Sequence, residues 1–425
     1  MSEKYATGKS VAIKARHTGS QLARQARTPC QMLYLRWLET LRRYADCPAI
    51  YCDGKVVTFA DLAIAVSLKK RALTPVIARS GSTDFFVDVL RAWRDGQPVI
   101  PLERDAPEPV LKSPPPAGTY LVKYTPGASG TPRGIFFNAE QIAADGDRIV
   151  EAMSLSAKVP NLSVISLAHS YGFSNIALPL ILHGVPLHLA AVPFPRVVEE
   201  IFRSHSALTV PAVPSMWRAW HRAGILKNSP VSFAISAGAP LALALENEIF
   251  SGAKIKIHNF YGASECGGIS LDLTEFPRES GDDVGTPLPG VLISREQSGR
   301  LLIRSDSVAI GYDFAREDDR LENGSYLTRD LGNLTNGRIF LTGTIGGSIN
   351  VAGRKVSPAK VEAALLATGS VLCAKVLGIP SADQERCEEI LAEVTLAAGA
   401  SLTDLKSAVT NSLQAWEIPR HWKCE

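Results

Sequence analysis

The sequence predicts an α/β protein: a large N-terminal domain of layered sheets with crossover helices and a β-rich subdomain, then a small α+β C-terminal domain. Three observations carry this. Short apolar strands alternate with helix-periodic segments as far as about Phe260, the pattern of parallel sheets joined by crossover helices. After Gly285 short strands separated by Gly- and Asp-rich turns predominate. From Ser357 the order becomes helix, strand, strand, helix.

Taken in order, Met32 to Tyr44 carries Met32, Leu33, Leu35, Trp37, Leu38 and Leu41 at helical spacing. Ala49–Tyr51, a turn at Asp53-Gly54 and Val56–Phe59 read as a hairpin. A helix over Phe59–Leu73, a strand at Val76–Ala78, a helix over Thr83–Trp93 and a strand at Pro98–Leu102 follow. Further on, Val164–Leu167 reads as a strand. Strands are expected at Val291–Ser294, Arg300–Ile303, Tyr326–Thr328 and Arg338–Thr342. The closing unit is expected as a helix over Pro358–Leu366, strands Val371–Leu377 and Ile390–Leu396, and a helix over Ser401–Leu413. Residues 1–28 hold six cations against Glu3, with no apolar core of a secretory signal, and are read as a basic flexible leader.

Composition excludes several classes. With 425 residues, 46% hydrophobic and 20% charged, the chain can bury a sizeable core and is not a long disordered segment. A net charge of +3 gives no basic face for nucleic acid. Every apolar run is too short for the roughly 20 residues of a membrane span. Seven scattered cysteines without a C-x-x-C imply reduced thiols and a cytoplasmic location; Cys266 is read as a packing residue.

The most informative segment is Tyr124-Thr125-Pro126-Gly127-Ala128-Ser129-Gly130-Thr131-Pro132-Arg133-Gly134, after an apolar strand. Its glycines let backbone N–H groups approach an anion, its hydroxyls can donate to phosphate oxygens, and Arg133 adds charge. A surface turn has the same composition, and both readings stand on composition alone. It is not a Walker loop, since Gly-Lys-Ser/Thr is missing.

This loop resembles the phosphate-binding signature of the adenylate-forming superfamily: acyl-CoA synthetases, peptide-synthetase adenylation domains and luciferases. Further segments resemble that family in its order: His169-Ser170-Tyr171-Gly172, Ser236-Ala237-Gly238-Ala239-Pro240, Tyr261-Gly262-Ala263-Ser264-Glu265, Val284–Gly290, Tyr326-Leu327-Thr328-Arg329-Asp330 and Gly353–Pro358. The resemblance spans about Leu33 to Trp422 and implies a large domain over 29–343 and a small one over 344–425.

It also implies ATP-dependent activation of an acyl or aryl acid as acyl-AMP, then transfer to a thiol of CoA or of a phosphopantetheine-bearing acyl carrier protein. By resemblance, Glu265 would ligate Mg²⁺. Thr125 and Ser129 would bond the β- and γ-phosphates, with Arg133 nearby, and Gly127 and Gly130 would form the loop. Gly238, Ala239, Pro240, Tyr261, Gly262 and Ser264 would line the adenine and α-phosphate, and Asp330 would hold the ribose. His169, Phe173 and Gly267 would border the acid pocket, His169 gating it or orienting the carboxylate.

Departures set an alternative beside this. Arg133 replaces a lysine, Pro126 removes a donor, Arg329 fills a glycine position, and Thr344 and Gly346 replace an arginine and an acid of the hinge. Trp416–Arg420 resembles the segment that precedes the family's catalytic lysine, and no counterpart of that lysine follows. The alternative expectation is an enzyme limited to one half-reaction, or a degenerate nucleotide- or acyl-binding pseudoenzyme.

Overall fold

The computed structural model describes residues 32–125, 133–190, 192–314, 316, 319–345, 349–352, 354–381, 388–410 and 412–424. The leader lies outside the described residues. The first helix, Met32–Tyr44, buries Leu33 and Trp37 at the expected spacing. The hairpin forms from Pro48–Cys52 and Lys55–Thr58, and Asp53 and Gly54 both take positive φ, as a two-residue turn of matching twist requires. The next helix opens on a capping box between Thr58 and Asp61. It ends at Leu68, earlier than apolar periodicity predicts. The reason is a tertiary contact: the Arg94 guanidinium donates to the Val66 carbonyl at 2.6 Å and the Lys69 carbonyl at 3.2 Å, satisfying groups a longer helix would have used.

A nine-stranded sheet forms the frame. Six of its strands, Pro48–Cys52, Leu187–Leu189, Asn161–Ser163, Leu208–Ala212, Val231–Ser236 and Ile257–Ala263, lie side by side and parallel. Gly267–Leu271 and Thr286–Pro287 close one edge antiparallel. The strand expected at Val164–Leu167 lies instead at Asn161–Ser163, the residues that pair with Leu187–Leu189. The chain then turns, with the Leu167 N–H donating to Ser80 Oγ at 3.1 Å.

A second sheet runs parallel through Val76–Arg79, Val99–Leu102 and Leu121–Thr125, then antiparallel through Arg133–Phe137 and Gly311–Tyr312. One core joins this sheet, the helices over 59–68 and 84–94, and a π-helical turn at Phe173–Ala177. The strand-rich texture after Gly285 becomes a third sheet of Leu292–Arg295, Arg300–Arg304, Ser325–Thr335, Leu321–Glu322 and Arg338–Thr344.

Buried charge ties the frame to this third sheet. Glu246 and Asp272 are fully buried and share the Lys256 ammonium; Arg278 adds a 2.8 Å bond to Glu246. Arg338 reaches Asp272 at 2.9 Å and Asp283 at 2.7 Å.

Residues 349–422 pack a core of their own around Val356, Val361, Leu365, Ala392, Leu405 and Val409. The helix Pro358–Ala367 matches expectation closely, whereas strands Val371–Pro380 and Glu388–Leu396 run longer. Among the described residues no helix is long and apolar enough to cross a membrane.

Candidate functional site

Two strand ends and a crossing hairpin build the site. Tyr261 sits on the last parallel strand, and its hydroxyl donates to Asp330 Oδ2 at 2.6 Å. Asp330 lies on the long strand Ser325–Thr335, in register with Thr344, whose hydroxyl donates to Asp330 Oδ1 at 2.9 Å. The carboxylate is therefore held from both sides, and burial pushes the Tyr261 hydroxyl well above its ordinary pKa.

Glu265 follows Tyr261 on the turn into the next strand. Its Oε1 accepts from the Tyr312 hydroxyl at 3.1 Å, and its backbone carbonyl accepts from Ala309 N–H. Burial raises its carboxyl above the usual range, opposed by its own backbone, the Tyr312 hydroxyl and the Arg133 charge. The carboxylate fits Mg²⁺: that ion is typically held by one or two carboxylates with phosphates and water completing the shell. No cluster of three or more His, Cys, Asp or Glu able to hold a metal occurs among the described residues.

Arg133 and Thr125 pair across the two strands that flank the phosphate-loop segment. Gly127, Ser129 and Gly130 lie outside the described residues. Arg133 is buried, ion-paired to Asp319, and its guanidinium lies 3.4 Å above the Tyr312 ring centre. Its side chain thus braces Tyr312, which in turn bonds Glu265. Gly238 takes positive φ just beyond the strand Val231–Ser236; it and Pro240 are exposed, with Ala239 half-buried between them. Gly262 is exposed and Ser264 half-buried on the Tyr261 loop.

The acid-pocket residues divide. His169 is mostly exposed and bonds Glu103 at 3.1 Å. Phe173 is fully buried, edge-on to Phe85 in the core. Gly267 has φ of +72°, and a Cβ there would fall 2.0 Å from Asp145 Oδ1. Its lack of a side chain is therefore a requirement of close approach.

Sequence reasoning missed the group behind it. Asp145 accepts from the Gly268 N–H at 3.0 Å and from the Ser174 hydroxyl at 2.5 Å; Ser174 accepts from Lys123 Nζ at 3.4 Å. All three side chains are at most 4% exposed. The available signals were a lysine inside the run Tyr120-Leu121-Val122-Lys123 and an aspartate three residues after Ile142, on a helix's apolar face.

The sequence profile of the AMP-binding enzyme family matches residues 57–313. The chain belongs to this family of adenylate-forming enzymes. It is 25% identical over 377 residues to the sulfoacetate–CoA ligase of Cupriavidus necator, covering 81% of this chain and 70% of that one. It is 29% identical over 270 residues to the anthranilate–CoA ligase of Pseudomonas aeruginosa, covering 59% and 51%. The fold matches o-succinylbenzoate CoA synthetase from Bacillus subtilis, solved with ATP and magnesium, at a TM-score of 0.64 and 20% identity, covering 92% and 95%. The chain spans between about half and seven tenths of the length of the two sequence relatives.

Proposed function

We propose that the chain activates a carboxylic acid with ATP as acyl-AMP and passes the acyl group to a thiol, that of CoA in preference to a carrier protein. The observation carrying this is the hydrogen bond that joins Tyr261 to Asp330 across 69 positions, with Glu265 four residues after Tyr261. A carboxylate beside an aromatic hydroxyl suits a nucleoside's ribose and base, and a second carboxylate on the loop after Tyr261 suits its phosphates.

In this reading the acid's carboxylate oxygen attacks the α-phosphorus. A carbonyl–O–P bond forms, the bond to the bridging oxygen breaks, and pyrophosphate leaves with its electron pair. The thiolate then attacks the acyl carbon and AMP departs. Bound Mg²⁺ supplies neutralisation of phosphate charge. Glu265 would hold it, oriented by Tyr312. Thr125 and Ser129 would donate to phosphate oxygens through their hydroxyls, and Asp330 would accept from the ribose. Residues 29–343 would form the adenylating domain and 344–425 a small domain, a division supported by the separate core of residues 349–422. The family relatives' CoA-ligase names favour CoA, and the free thiols of Cys47, Cys52, Cys266, Cys373 and Cys424 fit a cytoplasmic setting.

A second reading is a nucleotide-binding module without adenylation. The Arg133–Asp319 pair favours it, because the cation expected at the phosphates is already neutralised. Pyrophosphate exchange with Mg-ATP across a panel of acids separates the two. Exchange that Glu265→Ala removes supports activation; ATP binding without exchange for any acid supports the module.

A further inference from the structure

Residues 311–313 are strapped onto the start of the strand Arg133–Phe137. Tyr312 pairs with Ile135, the Asp313 N–H donates to the Gly134 carbonyl at 3.0 Å, and the Gly134 N–H donates to Asp313 Oδ1 at 3.0 Å. Asp319 then meets Arg133. Its Oδ2 accepts from the Arg133 guanidinium and, at 2.7 Å, from the Arg316 N–H, so the carboxylate is fixed from its own backbone side. The two side chains are 7% and 10% exposed, which makes this a buried ion pair. Held there, the guanidinium lies 3.4 Å above the Tyr312 ring centre, and the Tyr312 hydroxyl donates to Glu265 Oε1 at 3.1 Å. One aromatic ring thus stands between the arginine and the Glu265 carboxylate.

Two anions therefore compete for one cation. A buried charge without a partner is costly, so Arg133 must pair with one of them. Buried ion pairs contribute little net stability, and their better use is to fix one arrangement among several. Here the arrangement matters because Glu265 is bonded by a neutral phenol rather than by a cation. A carboxylate tied to an arginine spends its charge and lone pairs on that partner. One held by a hydroxyl keeps its charge for a hard divalent cation. The Arg133 charge already reaches Glu265 across the ring, so the alternative pairing is close at hand.

We propose that Asp319 is a positioning residue for the metal carboxylate: it draws Arg133 flat onto the Tyr312 ring and so keeps that cation off Glu265. The inference rests on the reading of Glu265 as the Mg²⁺ ligand, and it deepens that reading by naming what keeps the carboxylate available. It also assigns Arg133 a different part from the one its place in the loop implies, a brace for Tyr312 instead of a phosphate ligand. Without Asp319, Arg133 would turn to Glu265, and the metal would have to displace it.

The test reads ATP binding by titration calorimetry, once with Mg²⁺ and once with EDTA. In Asp319→Asn the affinity for Mg-ATP is expected to fall about tenfold or more, the scale of a charge-assisted hydrogen bond, while the metal-free affinity does not fall. Removing the released cation as well, in Asp319→Asn with Arg133→Gln, should recover most of the lost Mg-ATP affinity, a coupling that a merely structural aspartate would not show. Three results overturn the proposal: Mg-ATP affinity in Asp319→Asn equal to or above that of the wild type, an equal fall with EDTA, or a loss that the double variant does not reverse. A gain would mark Arg133 as a phosphate ligand that Asp319 withholds. If Asp319→Asn does not fold, Asp319→Glu and Asp319→Gln, alike in size and different in charge, replace it, and equal Mg-ATP affinity in the two overturns the proposal equally. Glu265→Gln is measured alongside. Full Mg-ATP affinity there strikes the metal reading and this proposal with it, whereas a loss there with none in Asp319→Asn strikes this proposal alone. Absence of pyrophosphate exchange with every acid strikes the activation reading alone, because the binding comparison still decides the role of Asp319.

Discussion

The Tyr261 hydroxyl and the Asp330 carboxylate are hydrogen-bonded at 2.6 Å, joining the end of the parallel sheet to the third sheet. Asp330→Ala removes the acceptor expected for the ribose and strands the buried Tyr261 hydroxyl. Its affinity for AMP should fall about tenfold or more, the cost of a charge-assisted hydrogen bond. Tyr261→Phe, which leaves Asp330 bonded to Thr344, should cost less. Titration calorimetry with AMP ranks the two.

Glu265→Gln keeps size and the contact with Tyr312 and removes the charge. Mg-dependent pyrophosphate exchange should drop by about a hundredfold or more, typical of losing one preorganised electrostatic group. Nucleotide binding without metal should change little, as fluorescence titration with and without EDTA would reveal. Equal losses in both would point to a merely structural glutamate.

Gly267→Ala should be among the most damaging single substitutions in the chain. It forces a Cβ to 2.0 Å from Asp145 Oδ1 at a positive φ. Destabilisation of about 3 kcal/mol or more is expected, combining overpacking with backbone strain. Adding Asp145→Ala should recover the overpacking part and leave the strain, read as denaturation midpoints of the single and double variants.

Lys256→Met leaves the fully buried Glu246 and Asp272 sharing less positive charge. A loss of about 3–5 kcal/mol follows from breaking a buried ionic network one-sidedly. Arg278 and Arg338 still reach the two acids, so the lower end is expected. Urea unfolding measures it.

His188 lies 2.8 Å from His205, and burial first, then the His205 charge, pushes its pKa down to about 4. A histidine whose folded pKa lies below its unfolded value near 6.5 stabilises above that value. That contribution is lost as the pH falls from about 6.5 toward 4. Melting temperature should therefore decline less between pH 7 and 5 in His188→Phe than in the wild type.

Much of this architecture was legible because it rests on short-range rules. The hairpin needed only Asp53-Gly54, and the helix start at Phe59 only Thr58 and Asp61. Its end was not legible, since Arg94, 28 residues after Val66 in sequence, takes the carbonyls there only once the helices pack. The family segments identified Tyr261, Glu265 and Asp330 as candidates. What they could not convey was commitment: Arg133 reads as a free cation beside a loop, whereas the fold brings Tyr312 and Asp319 to it from 179 and 186 residues away. Lys123 and Asp145 escaped for a related reason. Each is one polar residue in an apolar pattern, and only the π-helical turn that carries Ser174 brings them together.

The Thr344 hydroxyl already occupies Asp330 Oδ1, on a strand that ends just before the core of residues 349–422. In the proposed reading a ribose hydroxyl would share that oxygen with it, each donor weakening the other's bond. Nucleotide affinity and the seating of that strand would then be linked, each shifting the other by the same coupling free energy. Thr344→Val, which cannot donate, would make the exchange one-sided: the carboxylate would be freer for the nucleotide, and the strand's position would no longer report on whether it is there.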